Sequence, residues 1–230
     1  HYQFERSACV ATGNGGYYCS SVAGSASSSY GEAVYFAGPG QGGDSEIFMR
    51  NGEEIIQLTN NDNDDLAPQY DPTSGEVVWH RLVEGRYQVV HYDTRTETER
   101  LVTNNPDTNS MEPDVSRGRI VWQEWDGNDW EITFYNGSST TLLSDNNAPD
   151  IAPKIEDEYV MWTTVTADGQ QLEIYSIETG ARNTIANFEG GAVVNPRFVL
   201  VYDTKYENGD TLTHTFDPKS GLSMPVAATP

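Results

Sequence analysis

The chain has few basic residues, few cysteines and no long apolar run. Its 230 residues include 13 Lys and Arg against 35 Asp and Glu, which gives a formal net charge of −22 at pH 7. Such a charge repels phosphate groups and anionic lipid surfaces, so we expect no nucleic acid partner. No apolar run approaches the roughly 18 residues that a membrane-spanning helix needs, so we expect no membrane span within this chain.

Motifs of the common catalytic and metal sites are missing as well. There is no Gly-x-Ser-x-Gly elbow, and no glycine-rich phosphate motif stands between a strand and a helix. No helical period persists over three turns. The four histidines are scattered and form no His-x-x-x-His pair. We therefore predict an all-β, non-catalytic chain with no certain cofactor.

What the sequence does have is a motif that returns about every 42 residues. Each copy is a short apolar strand that ends in an aromatic residue, preceded by a proline about ten residues earlier in most copies and followed by a Gly/Asp turn and a third strand. The aromatic residues are Tyr35, Trp79, Trp122, Trp162 and Tyr202, and the third strands carry Glu46-Ile47, Gln88-Val89, Glu131-Ile132 and Glu173-Ile174. Four short strands in about 42 residues are one propeller blade.

These repeats predict a five-bladed β-propeller of four-stranded antiparallel blades. The blades fall at about residues 22–59, 60–103, 104–143, 144–186 and 187–230, after an N-terminal segment at 1–21. We expect the three repeated tryptophans to form the core between blades, because a blade is covered on both faces by its neighbours.

The repeats resemble those of the TolB-like (PD40-type) β-propeller family, in the versions found in archaeal and bacterial cell-surface proteins. The resemblance covers about residues 31–221 and is strongest from Ile120-Val121-Trp122 to Glu131-Ile132, with a further match at Glu178-Thr179-Gly180. The best-known members have six blades, whereas five copies are counted here. The resemblance implies a propeller that presents surfaces for protein or polymer contacts, and no catalytic residues are shared across the family.

Cys9 and Cys19 flank the turn-rich stretch Ala-Thr-Gly-Asn-Gly-Gly. Two cysteines around such a turn predict a local disulfide, and the alternative is two free thiols. Together with the surface-protein resemblance and a high Asn, Thr, Ser and Gly content, this favours an extracellular or cell-surface location, with the periplasm as an alternative. Asn136-Gly137-Ser138 fits a glycosylation acceptor on an exposed turn.

The acidic loop from Asn60 to Asp65 is a candidate calcium site. Asp62, Asp64 and Asp65 offer the carboxylate oxygens that a hard cation prefers, although the order of residues is not that of an EF-hand. The alternative is an Asx-rich turn that links one blade to the next, because similar loops recur at 104–109 and 145–150.

Two further groups are candidates for ligand or partner contact. Asp65, Ser110 and Asp150 each stand three residues before a proline, with Glu112 nearby, so they predict a polar ring at one mouth of the propeller or a set of loop caps. Trp125 and Trp130 flank the turn Asp126–Asp129. They would stack on a sugar, cover a blade edge or contact another subunit.

We therefore predict a non-catalytic extracellular or cell-surface propeller that mediates protein–protein interaction or surface assembly as a filament, sheath or lattice. The expected partner is a protein or a second copy of the chain. The alternatives are a carbohydrate-binding propeller and a glycosidase-like enzyme with central carboxylates.

Overall fold

The structure is a computed structural model that describes residues 8–11, 17–20, 34–40, 42–51, 54–186, 188–194, 200–206, 208–217 and 220–225. All regular elements in these residues are β-strands, arranged as a hairpin followed by five antiparallel sheets. The described part of the chain therefore holds no helix that would cross a membrane.

The strands of each sheet follow one another in chain order. The hairpin is β1 (Ala8–Ala11) and β2 (Tyr17–Ser20), and the first sheet is β3 (Val34–Pro39), β4 (Ser45–Asn51) and β5 (Glu54–Gln57). The second sheet is β6 (Asp65–Asp71), β7 (Glu76–Val83), β8 (Arg86–Asp93) and β9 (Thr98–Leu101). The third is β10 (Ser110–Ser116), β11 (Arg119–Trp125), β12 (Trp130–Tyr135) and β13 (Thr140–Leu142). The fourth is β14 (Asp150–Glu156), β15 (Tyr159–Thr166), β16 (Gly169–Ser176) and β17 (Arg182–Ile185), and the fifth is β18 (Phe188–Val194), β19 (Leu200–Lys205), β20 (Thr211–Asp217) and β21 (Leu222–Pro225).

Successive sheets pack face to face. The strands β3 and β6, β6 and β10, and β10 and β14 lie against one another, and β16 lies against β18. Residues on both faces of a central strand are buried, as in β7, where Glu76 to His80 are all covered. Such double coverage fits a β-propeller, in which each sheet is sandwiched between its neighbours.

The repeated tryptophans Trp79, Trp122 and Trp162 form the core between sheets, as the sequence predicts, and Tyr202 takes the same place in the last sheet. Each joins a buried cluster with apolar side chains of the preceding sheet: Trp79 with Ile47, Trp122 with Val78, Trp162 with Val121, and Tyr202 with Met161. Trp79, Trp122 and Trp162 are among the largest side chains that are almost completely buried.

A β-bulge interrupts the first strand of the second, third and fourth sheets at the residue before its proline. Ala67, Glu112 and Ala152 adopt left-handed φ angles of 52°, 49° and 54°. The bulge turns two of these backbone N–H groups toward the preceding sheet. Glu112 N–H donates to Nδ1 of His80 at 3.3 Å, and Ala152 N–H donates to Oε1 of Gln123 at 3.0 Å. We call these two bonds the inter-sheet latches.

The prediction of four-stranded antiparallel sheets is confirmed for the second to fifth sheets. The first sheet has three strands within the described residues, and residues 21–33, which precede it in the chain, lie outside them. In the hairpin the register places Cys9 opposite Cys19, but their side chains lie outside what the structure describes, so the disulfide stays a prediction.

Two equivalences drawn from the sequence are wrong. Ile47 pairs with Ala37 as Val89 pairs with His80, so the counterpart of Trp79 in the first sheet is Phe36 and not Tyr35. The second concerns the fourth sheet. Trp122 pairs with Thr133 across the sheet, whereas Trp162 pairs with Glu173. The structural counterpart of Glu131 is therefore Gln171 and not Glu173. In the fourth sheet, Leu172 and Ile174 are both buried, so an apolar residue at either position fits the core and the Glu-Ile pair occurs two residues later than in the third sheet.

Candidate functional site

The predicted polar ring holds the buried indoles in place. Asp65 is fully buried, and its Oδ1 accepts hydrogen bonds from Nε1 of Trp79 and Nε of Arg81, each at 2.7 Å. Asp150 is equally buried and accepts from Nε1 of Trp162 at 3.0 Å and from the hydroxyl of Thr164. Both carboxylates thus satisfy donors of the core between sheets.

Ser110, the third member of the predicted ring, does not hold an indole. Nε1 of Trp122 donates instead to Oε2 of Glu124 at 2.9 Å, and the buried hydroxyl of Ser110 has no hydrogen-bond partner in the described residues. The carboxylate that holds the indole has moved from the first strand of the sheet to the second.

The predicted calcium loop links the first and second sheets. Asn61 donates its backbone N–H to Oε1 of Glu46 at 2.7 Å and its side-chain amide to Oδ2 of Asp65 at 2.8 Å. Asp64 accepts from the backbone N–H of Ser45 at 2.8 Å, and Asp62 is exposed. The structure therefore gives Asp64 and Asp65 separate partners, and calcium at this loop stays a prediction.

The same linker recurs between the third and fourth sheets. Asn146 donates its backbone N–H to Oε1 of Glu131 and its side-chain amide to Oδ2 of Asp150, both at 2.7 Å. These two Asn-rich loops are thus hydrogen-bonded bridges from the strand that carries Glu46 or Glu131 to the first strand of the next sheet.

A cluster of three carboxylates lies at the turn between β11 and β12. One carboxylate oxygen from each of Asp126, Asp129 and Glu131 lies within 4.8 Å of the other two. Among the described residues, these three side chains form a group that could hold a metal ion. Oδ1 of Asp126 accepts the backbone N–H groups of Asn128 at 2.6 Å and Asp129 at 2.9 Å, which fixes the turn. We call Asp126, Asp129 and Glu131 the turn cluster.

The turn cluster is crowded with negative charge in a place of low exposure. Asp129 is 5% exposed and Glu131 is 1% exposed. Burial raises the pKa of both carboxyl groups, that of Glu131 to about 7, with the charges of Asp150 and Asp129 adding to the shift at Glu131. Oδ2 of Asp129 and Oε2 of Glu131 are buried and have no hydrogen-bond partner in the described part of the chain.

Trp125 and Trp130 border this cluster, as their sequence positions predict. Their rings meet edge to face, with centroids 5.5 Å apart and planes at 71°. Trp130 is buried, whereas Trp125 is partly exposed. The two indoles therefore do not form a pair of open stacking faces, and the carbohydrate-binding role stays a prediction.

The remaining predicted contact residues lie elsewhere. Asp150 acts electrostatically on both Asp129 and Glu131, so it belongs to the surroundings of the turn cluster. Glu112 stands at the bulge of β10, where burial raises the pKa of its carboxyl group and Lys154 opposes the shift. Asn136 is exposed on the turn after β12, and its glycosylation stays a prediction.

By sequence alone, Asp126 and Asp129 are turn residues and Glu131 belongs to a strand, so their convergence is not predicted. The available signal is the presence of three carboxylates within six residues of one turn.

Comparison with known proteins bears on the fold. The sequence matches no protein-family model and no curated protein. TolB from Acinetobacter baumannii is similar in structure, with a TM-score of 0.57 and 15% identity over 84% of this chain and 51% of that one. A chain of the nidogen/laminin complex has a TM-score of 0.57 and 15% identity over 85% of this chain and 75% of that one. Oligogalacturonate lyase from Vibrio parahaemolyticus has a TM-score of 0.61 and 14% identity over 87% of this chain and 63% of that one.

The chain thus spans about half the length of the Acinetobacter TolB chain it matches. At such low identity these likenesses concern the fold and leave activity open. They agree with the five packed antiparallel sheets and with the repeat landmarks read from the sequence. The chain has a TolB-like β-propeller fold.

Proposed function

We propose that the chain is a non-catalytic, five-bladed β-propeller that binds protein through the outer edges of its sheets, at the cell surface or elsewhere outside the cytoplasm. The observation that carries this proposal is a set of exposed aliphatic side chains on the outermost strands. Ile55 is 57% exposed, Leu142 51%, Leu222 63% and Met224 62%.

These side chains stand on strands that pair on one side alone within the described residues. β5, β13 and β21 are each the last strand of their sheet. An edge strand offers unpaired backbone groups to another chain, and apolar side chains beside them add buried area on contact. Neighbours in fold include a protein complex, nidogen/laminin, which supports a binding role.

The net charge limits the choice of partner. At −22 the chain repels a second copy at low ionic strength, so an edge contact between copies needs salt to screen the charge or basic groups on the partner. Surface assembly as a filament, sheath or lattice is therefore expected at moderate or high salt.

Sedimentation velocity and electron microscopy at rising protein and salt concentration test the proposal. We expect ordered oligomers of the wild type, and their loss when Ile55→Lys and Leu222→Lys are combined, because each places a charge on an outer edge. Ala167→Lys, on the exposed turn between β15 and β16, neither of which is an outermost strand, is the matched control. Monomeric wild-type particles under all conditions would contradict self-assembly.

A partner other than a second copy is then tested by chemical crosslinking in the native source. Crosslinks to the outer strands that the double edge variant removes would support protein binding. Crosslinks that persist in that variant would contradict the edge as the binding site. The enzyme and carbohydrate alternatives have no comparable observation in the described residues, although oligogalacturonate lyase shares the fold.

A further inference from the structure

The turn cluster has the geometry of a cation site. We propose that Asp126, Asp129 and Glu131 bind one calcium ion, each through a carboxylate oxygen. The three oxygens lie within 4.8 Å of one another, and two oxygens on one calcium, at about 2.3–2.6 Å from it, stand up to about 5 Å apart. Three carboxylates on one cation favour calcium over magnesium, which is usually bound through one or two carboxylates and keeps several waters.

A second observation points to a ligand at the same place. Oδ2 of Asp129 and Oε2 of Glu131 are buried without a hydrogen-bond partner in the described residues. A buried carboxylate oxygen without a partner is costly, and native structures pair such charges or place them on a metal. Oδ1 of Asp126 is occupied by two backbone N–H groups, so its other oxygen is the one that faces a cation.

The other junctions between sheets show how the chain otherwise balances these charges. Between the first and second sheets, Glu46 and Asp65 share the bridge of Asn61, and Arg81 pairs with Asp65 at 2.7 Å. Between the second and third sheets, Gln88 and Ser110 occupy the corresponding positions, and both are neutral.

The junction between the third and fourth sheets lacks this balance. Glu131 and Asp150 share the bridge of Asn146, and Thr164 stands at the register position that Arg81 holds in the second sheet. Asp126 and Asp129 add two more carboxylates. A bound divalent cation supplies the positive charge that Arg81 supplies at the earlier junction.

Terbium, a calcium substitute whose emission is sensitised by nearby tryptophan, tests the site because Trp125 and Trp130 adjoin it. We expect one site in the wild type by terbium luminescence, displaced by calcium, and one calcium per chain by calorimetry. Glu131→Gln introduces the residue type of Gln88 and should abolish both signals.

Asp44→Asn is the matched control, because Asp44 and Glu46 repeat the Asp-x-Glu spacing in the first sheet. Both oxygens of Asp44 are also buried without a partner, but within the described residues no third carboxylate completes a group there. We expect this variant to bind as the wild type does. Calcium should raise the melting temperature of the wild type and of Asp44→Asn, and leave that of Glu131→Gln unchanged.

Circular dichroism shows whether Glu131→Gln folds. If it does not, Asp126→Asn decides, because Asp126 is exposed and asparagine keeps the side-chain oxygen that fixes the turn. A wild type that binds neither ion would overturn the proposal, as would binding that survives the Glu131 and Asp126 variants. Assembly through the outer edges is measured by sedimentation and electron microscopy and not by ion binding, so failure of one proposal is distinguishable from failure of the other.

Discussion

The indole N–H groups of the three repeated tryptophans each meet a carboxylate oxygen, yet the carboxylate comes from different places. Trp79 and Trp162 use an aspartate on the first strand, at Asp65 and Asp150, whereas Trp122 uses Glu124 on its own strand. A buried N–H is normally hydrogen-bonded, although Nε1 of the buried Trp130 has no partner in the described residues. Repeats therefore diverge in sequence while the contact is preserved.

A buried histidine makes stability depend on pH. Burial lowers the pKa of His80 to about 3, well below the 6.5 of an unfolded chain. Between these values the unfolded chain binds a proton that native His80 does not, so the free energy of unfolding falls as pH falls through this window. From pH 7 to pH 5 we expect this group alone to cost about 2 kcal/mol.

The measurement is urea unfolding of the wild type and His80→Asn at both pH values. Asparagine keeps an acceptor for the N–H of Glu112 and does not titrate. We expect the variant to lose less stability than the wild type on acidification. Equal losses would mean that His80 is protonated in the native state.

The roles of residues could be predicted where the sequence pattern repeats and could not be predicted elsewhere. The repeated tryptophans indicate a core because they recur on one face of equivalent strands. The turn cluster belongs to a single repeat, so no recurrence marks it. Its members also have ordinary local roles in a turn and a strand, which conceal that three oxygens converge.

At the scale of the element, the first strand of a sheet does two tasks. It pairs with its own second strand, and at its bulge it donates a backbone N–H to the sheet before it. Glu112 and Ala152 make this bond from a positive φ, and Ala67 adopts the same backbone conformation at the equivalent position. The proline was predicted as a landmark, but the bulge depends on packing between sheets.

Gln123 tests the inter-sheet latch between the third and fourth sheets. It is 3% exposed, and its side chain accepts the N–H of Ala152. Gln123→Ala leaves that donor buried and unpaired, so we expect the free energy of unfolding to fall by about 1–3 kcal/mol. Gln123→His supplies the residue type of the other latch, so we expect a smaller fall in the free energy of unfolding for this variant. Equal losses in denaturant unfolding would show that the bond contributes nothing specific.

For the whole molecule, strand order and sheet count follow from the repeat, because four short strands in each copy form one sheet in chain order. A fourth strand for the first sheet does not follow from the sequence, since residues 21–33 carry no recognisable copy of the motif. The sequence pattern also predicts the wrong register for the third strand of the fourth sheet, by two residues. The correct register is known only from the pairing of that strand with its neighbour in the structure.

The net charge of −22 acts on the whole molecule. Repulsion among carboxylates destabilises the compact state, and salt screens it over about 10 Å at 0.1 M. We expect the urea midpoint to rise between 0.02 and 0.5 M NaCl, by a similar amount in KCl, when calcium is chelated. A falling midpoint would mean that the ion pairs of Arg81 and Arg117 outweigh the repulsion.

The inter-sheet latches have a consequence for how such chains grow in evolution. At each latch the donor is a main-chain amide, so substitution of Glu112 or Ala152 by any residue except proline leaves the donor in place. A duplicated repeat thus arrives with its half of the junction already made. On the preceding sheet the contact requires only Gln or His after the tryptophan, so the sequence of the repeat that donates can drift without loss of the bond.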